Sequence, residues 1–283
     1  MTATTPSFPS RLPQVGTTIF STMSALAQQH QAVNLGQGFP DFGCDPRLLH
    51  AVTNAMHAGH NQYAPMPGIA ALRQAVSDKM LALYGRRYNA DSEITVTAGA
   101  TQGILTAILA CTQPGDEVIV LDPCYDSYVP NIVLAGGKAV RVPLTPGTFR
   151  PDFAKISAAI TPRTRAIIIN SPHNPSATIW TADEMRQLEA LLAPTDILLI
   201  SDEVYEHIVY DGARHESALR YPELRERAFV VSSFGKTYHC TGWKIGYAIA
   251  PAALSAEFRK VHQYNTFTSF SPAQYAFAAM IRD

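Results

Sequence analysis

A lysine at position 236 stands in a Ser/Gly-containing segment, residues 232–244, directly after the apolar run Ala228–Val231. The run is rich in β-branched and aromatic residues and predicts a buried strand, and the segment after it predicts a tight loop. A lysine amine that is held still and partly desolvated can act as a nucleophile and form a Schiff base. A surface lysine is the ordinary explanation for a lone Lys after a strand, so this chemistry needs partner residues.

Candidate partners follow other predicted strands. The segment Asp196–Tyr205 has an apolar strand pattern that ends in Asp202, with Tyr205 three residues later. The segment Ala166–Pro175 is another apolar strand, and the turn after it contains Asn174. In open α/β sheets, ligands bind at the carboxyl ends of the strands. We therefore expect one edge of the sheet to carry Asn174, Asp202, Tyr205 and Lys236.

This set of side chains suits a cofactor with a pyridine ring. A carboxylate such as Asp202 keeps the ring nitrogen protonated, so that the ring can accept an electron pair. An amide and a phenol, here Asn174 and Tyr205, hydrogen-bond the oxygen at position 3 of the ring, and the amine of Lys236 forms the imine. Each residue alone is unspecific, because an acid that closes a strand is commonly a cap and a nearby tyrosine commonly packs in the core.

Further blocks extend this pattern along the chain. They are Asn34–Phe42, Gln62–Pro65, Thr97–Thr101, Asp122–Tyr128, Pro172–Pro175, Ser201–Tyr205, Ser233–Lys236 and Thr241–Lys244. On these blocks the chain resembles the fold-type I, pyridoxal-phosphate-dependent class I and II aminotransferases. Within that family it is most similar to the methionine, glutamine–phenylpyruvate and kynurenine aminotransferase branch. The resemblance runs from about residue 15 to the last residue.

The cofactor phosphate has candidate ligands of its own. Gly99, Ala100 and Thr101 lie between a predicted strand and a predicted helix. Small residues there let backbone amides approach a phosphate at the helix N-terminus, although Thr101 could equally be a plain helix cap. The resemblance adds Ser233 and Lys244 as phosphate ligands, and Lys244 stands where other branches have an arginine.

Other roles come from the resemblance alone. It implies that the ring of Tyr125 lies against the cofactor ring and that Tyr63 reaches the phosphate of a partner subunit. It also implies a substrate contact by the backbone of Gly36 and an aromatic contribution by Phe267 to the neighbouring pocket. The implied catalytic residues are Lys236, Asp202 and Tyr205.

The resemblance implies an aminotransferase that moves an amino group to a 2-oxo acid through a pyridoxal 5'-phosphate Schiff base. The expected amino acids are methionine, aromatic residues or others with large apolar side chains, and the expected assembly is a homodimer with shared active sites. Two alternatives use the same cofactor: a cysteine-conjugate β-lyase and a non-catalytic, truncated cofactor-binding subunit. A nicotinamide-dependent Rossmann enzyme is disfavoured, because no Gly-x-Gly-x-x-Gly block opens a helix after a strand.

The composition excludes several other classes of protein. The chain has 283 residues, of which 16% are charged, and its formal net charge is −1. Since it has no basic block, we expect neither a nucleic-acid partner nor attraction to an anionic membrane. The 4 cysteines lack disulfide or metal-ligand spacing, and no segment has the pattern of a signal peptide or a membrane span. We therefore expect a soluble, cytoplasmic protein without a metal.

Helix and strand patterns alternate from residue 46 onward, which predicts an α/β fold with a mostly parallel sheet flanked by helices. Helices are predicted at 46–58, 69–84, 101–111, 127–135, 152–160 and 181–192. Strands are predicted at 93–97, 117–121, 138–143, 165–170, 196–202, 228–231 and 245–250, and the resemblance makes the last one antiparallel. The opening segment to about Asp45 is expected to be irregular.

The resemblance also implies a domain division. Residues 1–45 would form an N-terminal arm and part of a small domain, and residues 46–283 the large cofactor-binding domain. The rest of the small domain would follow residue 283, together with the arginine that binds the substrate carboxylate. A helix that starts at Ser271 is expected to be barely formed. One departure from the family pattern is Ala177, where relatives have a glycine; alanine strains that turn if its φ is positive.

Overall fold

A seven-stranded sheet in the order β1-β7-β6-β5-β4-β2-β3 organises this computed structural model, which describes residues 8–38 and 42–281. The strands are β1 Ile94–Thr97, β2 Glu117–Asp122, β3 Lys138–Pro143, β4 Thr164–Asn170, β5 Leu198–Asp202, β6 Ala228–Ser233 and β7 Gly246–Ile249. β7 pairs antiparallel with β1 and β6, and the other neighbours are parallel. The predicted α/β fold with a mostly parallel sheet is confirmed, including its antiparallel last strand.

Helices lie between and around the strands. They are α1 Ile19–Gln29, α2 Pro46–His57, α3 Ala70–Tyr84, α4 Gly99–Cys111, α5 Tyr128–Leu134, α6 Phe153–Ala159, α7 Ala182–Leu192, α8 Pro222–Arg225, α9 Phe234–Thr237, α10 Ala252–Asn265 and α11 Ser271–Met280. Short 3₁₀ turns cover Ala218–Arg220 and Thr241–Trp243. None of the helices in the described ranges is both long and apolar enough to cross a bilayer.

Local sequence signals fix several helix ends. Asp45 caps α2, whose first residue is proline, and the left-handed Gly85 (φ +73°) ends α3. Thr181 and Glu184 form the predicted capping box at the start of α7, since each side chain accepts from the other's backbone N–H. These ends agree with the predicted ones because the signals are local.

Both faces of the sheet are buried. On β4, Ile167 and Ile169 belong to one apolar cluster, whereas Ile168 between them belongs to another. The same alternation occurs on β2, where Ile119 and Val120 point into different clusters. Because successive side chains of a strand point to opposite faces, the sheet is covered on both sides, which explains its continuous apolar runs.

The chain divides into two compact units, Met1–Pro40 and Asp41–Asp283. In the first unit, α1 begins after the Thr18 cap, whose hydroxyl accepts from the Ser21 amide at 3.2 Å. The prediction of an irregular opening segment was therefore wrong for Ile19–Gln29. In the second unit, α11 is a ten-residue helix with Phe277 fully buried, so the expectation of a barely formed helix was also wrong.

Candidate active site

The carboxyl edge of the sheet brings predicted site residues together. Asp202 ends β5 and lies in register with Asn170 at the end of β4 and with Val231 on β6. The side chain of Asn170 donates to the Asp202 carbonyl oxygen at 2.9 Å and accepts from the Asn174 amide at 2.6 Å. Asn170 thus holds the turn that carries Asn174 against the end of β5. Sequence reasoning missed this role, because only the register of the strands reveals it.

The Asp202 carboxylate is buried and has few partners of its own. The Tyr128 hydroxyl donates to its Oδ2 at 2.7 Å, and the Val204 amide donates to its Oδ1 at 3.2 Å. Burial raises the pKa of Asp202 to about 6, while the hydrogen bonds from Tyr128 and Val204 oppose that rise. A carboxylate in this position is stabilised by a cationic partner such as a protonated ring nitrogen.

Tyr128 is a site residue that sequence reasoning missed. It is fully buried at the start of α5, and its ring makes an edge contact with Tyr125, with the centroids 5.7 Å apart. Burial raises the pKa of its phenol far above neutral pH, so the hydroxyl stays a donor to Asp202. Its place at the end of the Asp122–Tyr128 block was the available signal.

Tyr205 links the turn after β4 to the lysine. Its hydroxyl is hydrogen-bonded to the side chain of Asn174, and Lys236 Nζ lies 5.5 Å from the centroid of its ring. Burial raises the pKa of Tyr205, so that its phenol is neutral at physiological pH. Partial burial, and then the positive charge of Lys244, lower the pKa of Lys236. The lowered pKa leaves more of the Lys236 amine neutral and therefore available as a nucleophile and base.

The N-terminus of α4 meets Lys244. Gly99 opens α4 with φ +77°, and a Cβ atom there would lie 3.3 Å from Lys244 Cε. Lys244 itself has φ +54°, and Thr101 Oγ1 is 3.4 Å from the Tyr125 hydroxyl. Gly99, Ala100 and Thr101 form the first turn of α4 rather than a loop before it. The arrangement places backbone amides, a hydroxyl and a cation where an anion is stabilised.

Ser233 and Lys236 belong to one capped turn of helix. The Ser233 hydroxyl accepts from the Gly235 amide at 3.1 Å and donates to the Ile245 carbonyl at 3.3 Å. It thereby caps α9, which contains Lys236. The predicted tight loop after β6 is therefore a short helix, because the serine cap supplies the missing acceptor.

Tyr63 and Phe267, both predicted to contribute to the site of a neighbouring subunit, contact each other. Tyr63 is 81% exposed, and its ring makes an edge contact with Phe267, with the centroids 5.4 Å apart. Phe267 has φ +69°, an uncommon conformation for a non-glycine residue. Gly36 lies in the N-terminal unit, where its amide donates to Asn34 Oδ1 at 2.9 Å.

No cluster of three or more His, Cys, Asp or Glu side chains suited to a metal occurs within residues 8–38 and 42–281. The polar groups at the carboxyl edge are instead a carboxylate, phenols, amides and amines. Such groups bind an organic cofactor through hydrogen bonds and charge.

Comparison with known proteins places these features in a family. The sequence profile of "Aminotransferase class I and II" matches residues 30–283. The chain is 55% identical to the methionine aminotransferase of Escherichia coli over 273 residues, which are 96% of this chain and 71% of the relative. It is 44% identical over 271 residues to a probable N-succinyldiaminopimelate aminotransferase of Mycobacterium tuberculosis, covering 95% of this chain and 68% of that one.

Solved structures agree with the sequence relatives. Escherichia coli YbdL, whose crystal structure and reactivity identified a methionine aminotransferase function, matches with a TM-score of 0.94 at 54% identity, over 98% of this chain and 72% of that chain. N-succinyldiaminopimelate aminotransferase from Mycobacterium tuberculosis also matches with a TM-score of 0.94, at 43% identity and with the same coverage of both chains. The chain therefore belongs to the class I and II aminotransferases, a family of pyridoxal-phosphate-dependent enzymes.

Proposed function

We propose that this aminotransferase uses pyridoxal 5'-phosphate and prefers methionine and other amino acids with large apolar or aromatic side chains. The buried Asp202 carboxylate, at the sheet edge that also carries Tyr205 and Lys236, is the observation that supports the cofactor. The 55% identity to a methionine aminotransferase supports the substrate. A 2-oxo acid would accept the amino group.

The residues present fit this cofactor. Asp202 would bind the ring nitrogen, because a buried carboxylate gains from a cationic partner. Asn174 and Tyr205 would hydrogen-bond the ring oxygen, and Tyr125 would lie against the ring face. The first turn of α4, with Ser233 and Lys244, would hold the phosphate. When bound, the cofactor supplies an aldehyde that takes up an amino group and a ring that delocalises an electron pair.

Within this proposal, Lys236 is both the attachment point and the base. Its lowered pKa favours a neutral amine, which can first bind the aldehyde and later take the proton from the substrate α-carbon. Tyr205 lies close enough to orient the Lys236 side chain, with 5.5 Å between Nζ and the ring centroid. Asp202 would stay ionised by pairing with the ring nitrogen and would keep that nitrogen protonated.

An absorbance spectrum of the purified chain, before and after addition of methionine, tests the cofactor and the first half of the reaction together. We expect cofactor absorbance that changes with methionine and returns on addition of a 2-oxo acid. A panel of amino acids tests the specificity, and a preference for aspartate would contradict it. Release of pyruvate and ammonia from a cysteine conjugate would identify the β-lyase instead.

We also propose a homodimer in which Tyr63 completes the partner's site. The exposure of Tyr63 and its contact with Phe267 support this arrangement. Mixing a Lys236→Ala chain with a Tyr63→Ala chain provides the test, since only a shared site would combine Lys236 and Tyr63 from different chains. Recovery of activity in the mixed dimer is expected, and mixed dimers as inactive as either variant would contradict sharing.

Other sequence predictions stay predictions. They are the division into residues 1–45 and 46–283 and a location in the cytoplasm. Gly36 and Phe267 stay proposed substrate contacts, which the amino-acid panel would test through the corresponding variants.

A further inference from the structure

Two more buried carboxylates, Glu203 and Glu206, follow Asp202 at the end of β5. Asp202 and Tyr205 belong to the proposed cofactor site. Glu203 and Glu206 are as buried as Asp202, with 2%, 5% and 4% exposure respectively, but lie outside that site. Glu203 bonds to Ser201, to His215 and to the Ala218 amide. Glu206 instead bonds to side chains on one helix and two strands that are distant in the sequence. The proposed reaction gives Glu206 no role.

The Glu206 carboxylate collects donors from three other elements. Its Oε1 accepts from Lys79 Nζ at 2.6 Å, from the Ser232 hydroxyl at 2.8 Å and from the Tyr247 hydroxyl at 2.8 Å. Its Oε2 accepts from the Tyr84 hydroxyl at 2.9 Å. Lys79 and Tyr84 lie on α3, Ser232 on β6 and Tyr247 on β7.

Two of these donors lie beside proposed cofactor ligands. Ser232 directly precedes Ser233, the cap of the helix that carries Lys236. Tyr247 lies opposite Ser232 in the β6–β7 pair and follows Lys244 by three residues. Glu206 itself follows Tyr205. One carboxylate therefore ties the segment of Tyr205 to both ends of the segment that carries Lys236 and Lys244.

The charge of Glu206 is well compensated. Burial opposes ionisation, but the attraction of Lys79 and His207 and the hydrogen bonds of Lys79 and Ser232 outweigh it and lower the pKa of the carboxyl to about 2. The Lys79 side chain is 14% exposed. Removing one partner of such a pair leaves the other charge buried and uncompensated, which destabilises the connection.

We propose that Glu206 is a positioning residue, which fixes Tyr205 and Lys236 relative to each other through its bonds to Ser232, Tyr247 and Lys79. This inference rests on the proposed function for the roles of Tyr205 and Lys236. It extends that function by a residue that does not touch the cofactor. Loss of the connection would loosen both segments at once and misplace the amine relative to the ring.

Glu206→Gln tests the proposal, because it keeps the shape and removes the charge. The matched control is Glu117→Gln, a buried carboxylate at the opposite edge of the sheet that is bonded to Lys138, Thr161 and Arg163. Hydrogen exchange of the purified chain reports the two segments through the amides of Ile208 and Phe234, which bond to Tyr205 O and Ile245 O.

We expect Glu206→Gln to speed exchange in both segments and to weaken pyridoxal phosphate binding roughly 10-fold or more. The pH titration of the bound-cofactor absorbance should shift as well, and kcat should fall more than KM rises. Glu117→Gln should change none of these near the site. If Glu206→Gln does not fold, the double variant with Lys79→Met removes the uncompensated cation and takes its place.

Unchanged exchange in both segments, or equal effects in Glu117→Gln, would overturn the inference. Failure of the proposed function looks different. In that case the wild-type chain would show no cofactor absorbance and no adduct on Lys236, while the exchange comparison would still decide whether Glu206 joins the segments.

Discussion

Tyr128 donates a 2.7 Å hydrogen bond to the carboxylate of Asp202, a residue 74 positions later in the chain. This bond is the main force that keeps a buried carboxylate ionisable, since burial alone raises its pKa. The proposed cofactor site therefore depends on a phenol that does not itself hold the cofactor. The basicity of Asp202 can be tuned from α5 without changing Asp202.

Tyr128→Phe removes this donor and leaves the ring. We expect the pKa of Asp202 to rise further above 6, so that the acid limb of pyridoxal phosphate binding moves to higher pH by about one unit. Cofactor binding titrated from pH 5 to 9 measures the shift. Tyr88→Phe makes the same chemical change in another buried tyrosine, between α3 and β1, and should leave the limb in place.

Asp202→Asn should change how stability depends on pH. The pKa of Asp202 is raised from 3.8 to about 6, so the folded state binds this proton more tightly than the unfolded state. Binding of this proton stabilises the folded state, and the whole contribution to the free energy of unfolding, on the order of 3 kcal/mol, is present below about pH 4. This contribution is lost as the pH rises through 6. The variant has no such proton.

Thermal unfolding of cofactor-free protein between pH 4 and 8 measures this effect. The Tm of Asp202→Asn relative to the wild type should increase with pH by several degrees. A difference in Tm that is the same at pH 4 and pH 8 would contradict the raised pKa.

Lys236→Ala should remove the covalent attachment of the cofactor. Borohydride reduction followed by peptide mapping should find the adduct on Lys236 in the wild type and none in the variant. Turnover should fall by roughly 10³-fold or more, because both the nucleophile and the base are lost. An adduct mapped to another residue, or turnover near the wild-type rate, would refute the assignment.

Lys244→Asn separates the anion site from the amine. Asparagine tolerates the positive φ of this position, +54°, so the backbone should persist. We expect binding of pyridoxal phosphate to weaken about 10-fold, while the Lys236 adduct still forms at saturating cofactor. Comparison with pyridoxal, which lacks the phosphate, provides the control. Equal weakening for both compounds would argue against a phosphate contact.

Ala177→Gly should stabilise the turn that carries Asn174. Ala177 has φ +60°, a left-handed conformation that costs alanine about 1 kcal/mol relative to glycine. We expect Tm to rise by about 2 °C. Ala190→Gly, at an exposed position inside α7, makes the same exchange where glycine is unfavourable and should lower Tm. A fall in Tm for Ala177→Gly would show that the strain is absent.

Local signals in the sequence predicted most elements of the sheet unit. The capping box of Thr181, the stop at Gly85 and the apolar runs of β4 to β6 act within a few residues, so their patterns are visible without the fold. α1 was missed although Ile19, Met23 and Leu26 recur at helical spacing, because the surrounding Pro, Gly and Ser/Thr residues suggested an irregular arm.

The partners of the site residues could not be predicted in the same way. Tyr128 and Asp202, or Lys79 and Glu206, are far apart in sequence and meet only because of strand order and helix packing. Residue type alone does not distinguish Glu206, whose partners lie on α3, β6 and β7, from Glu203, which bonds to Ser201 and to the segment of His215 and Ala218. Such differences depend on tertiary contacts.

The antiparallel pairing of β6 with β7 places Ser233 opposite Gly246. A Cβ atom at Gly246 would lie 2.6 Å from the Ser232 carbonyl oxygen, so the base of this hairpin closes tightly. The residues between these two positions, which include Lys236 and Lys244, form one connection that the strand pair closes at both ends. A single residue inserted between Lys236 and Lys244 would lengthen the path between them by about 3.8 Å, so the number of residues in this segment limits how far apart the two amines can lie.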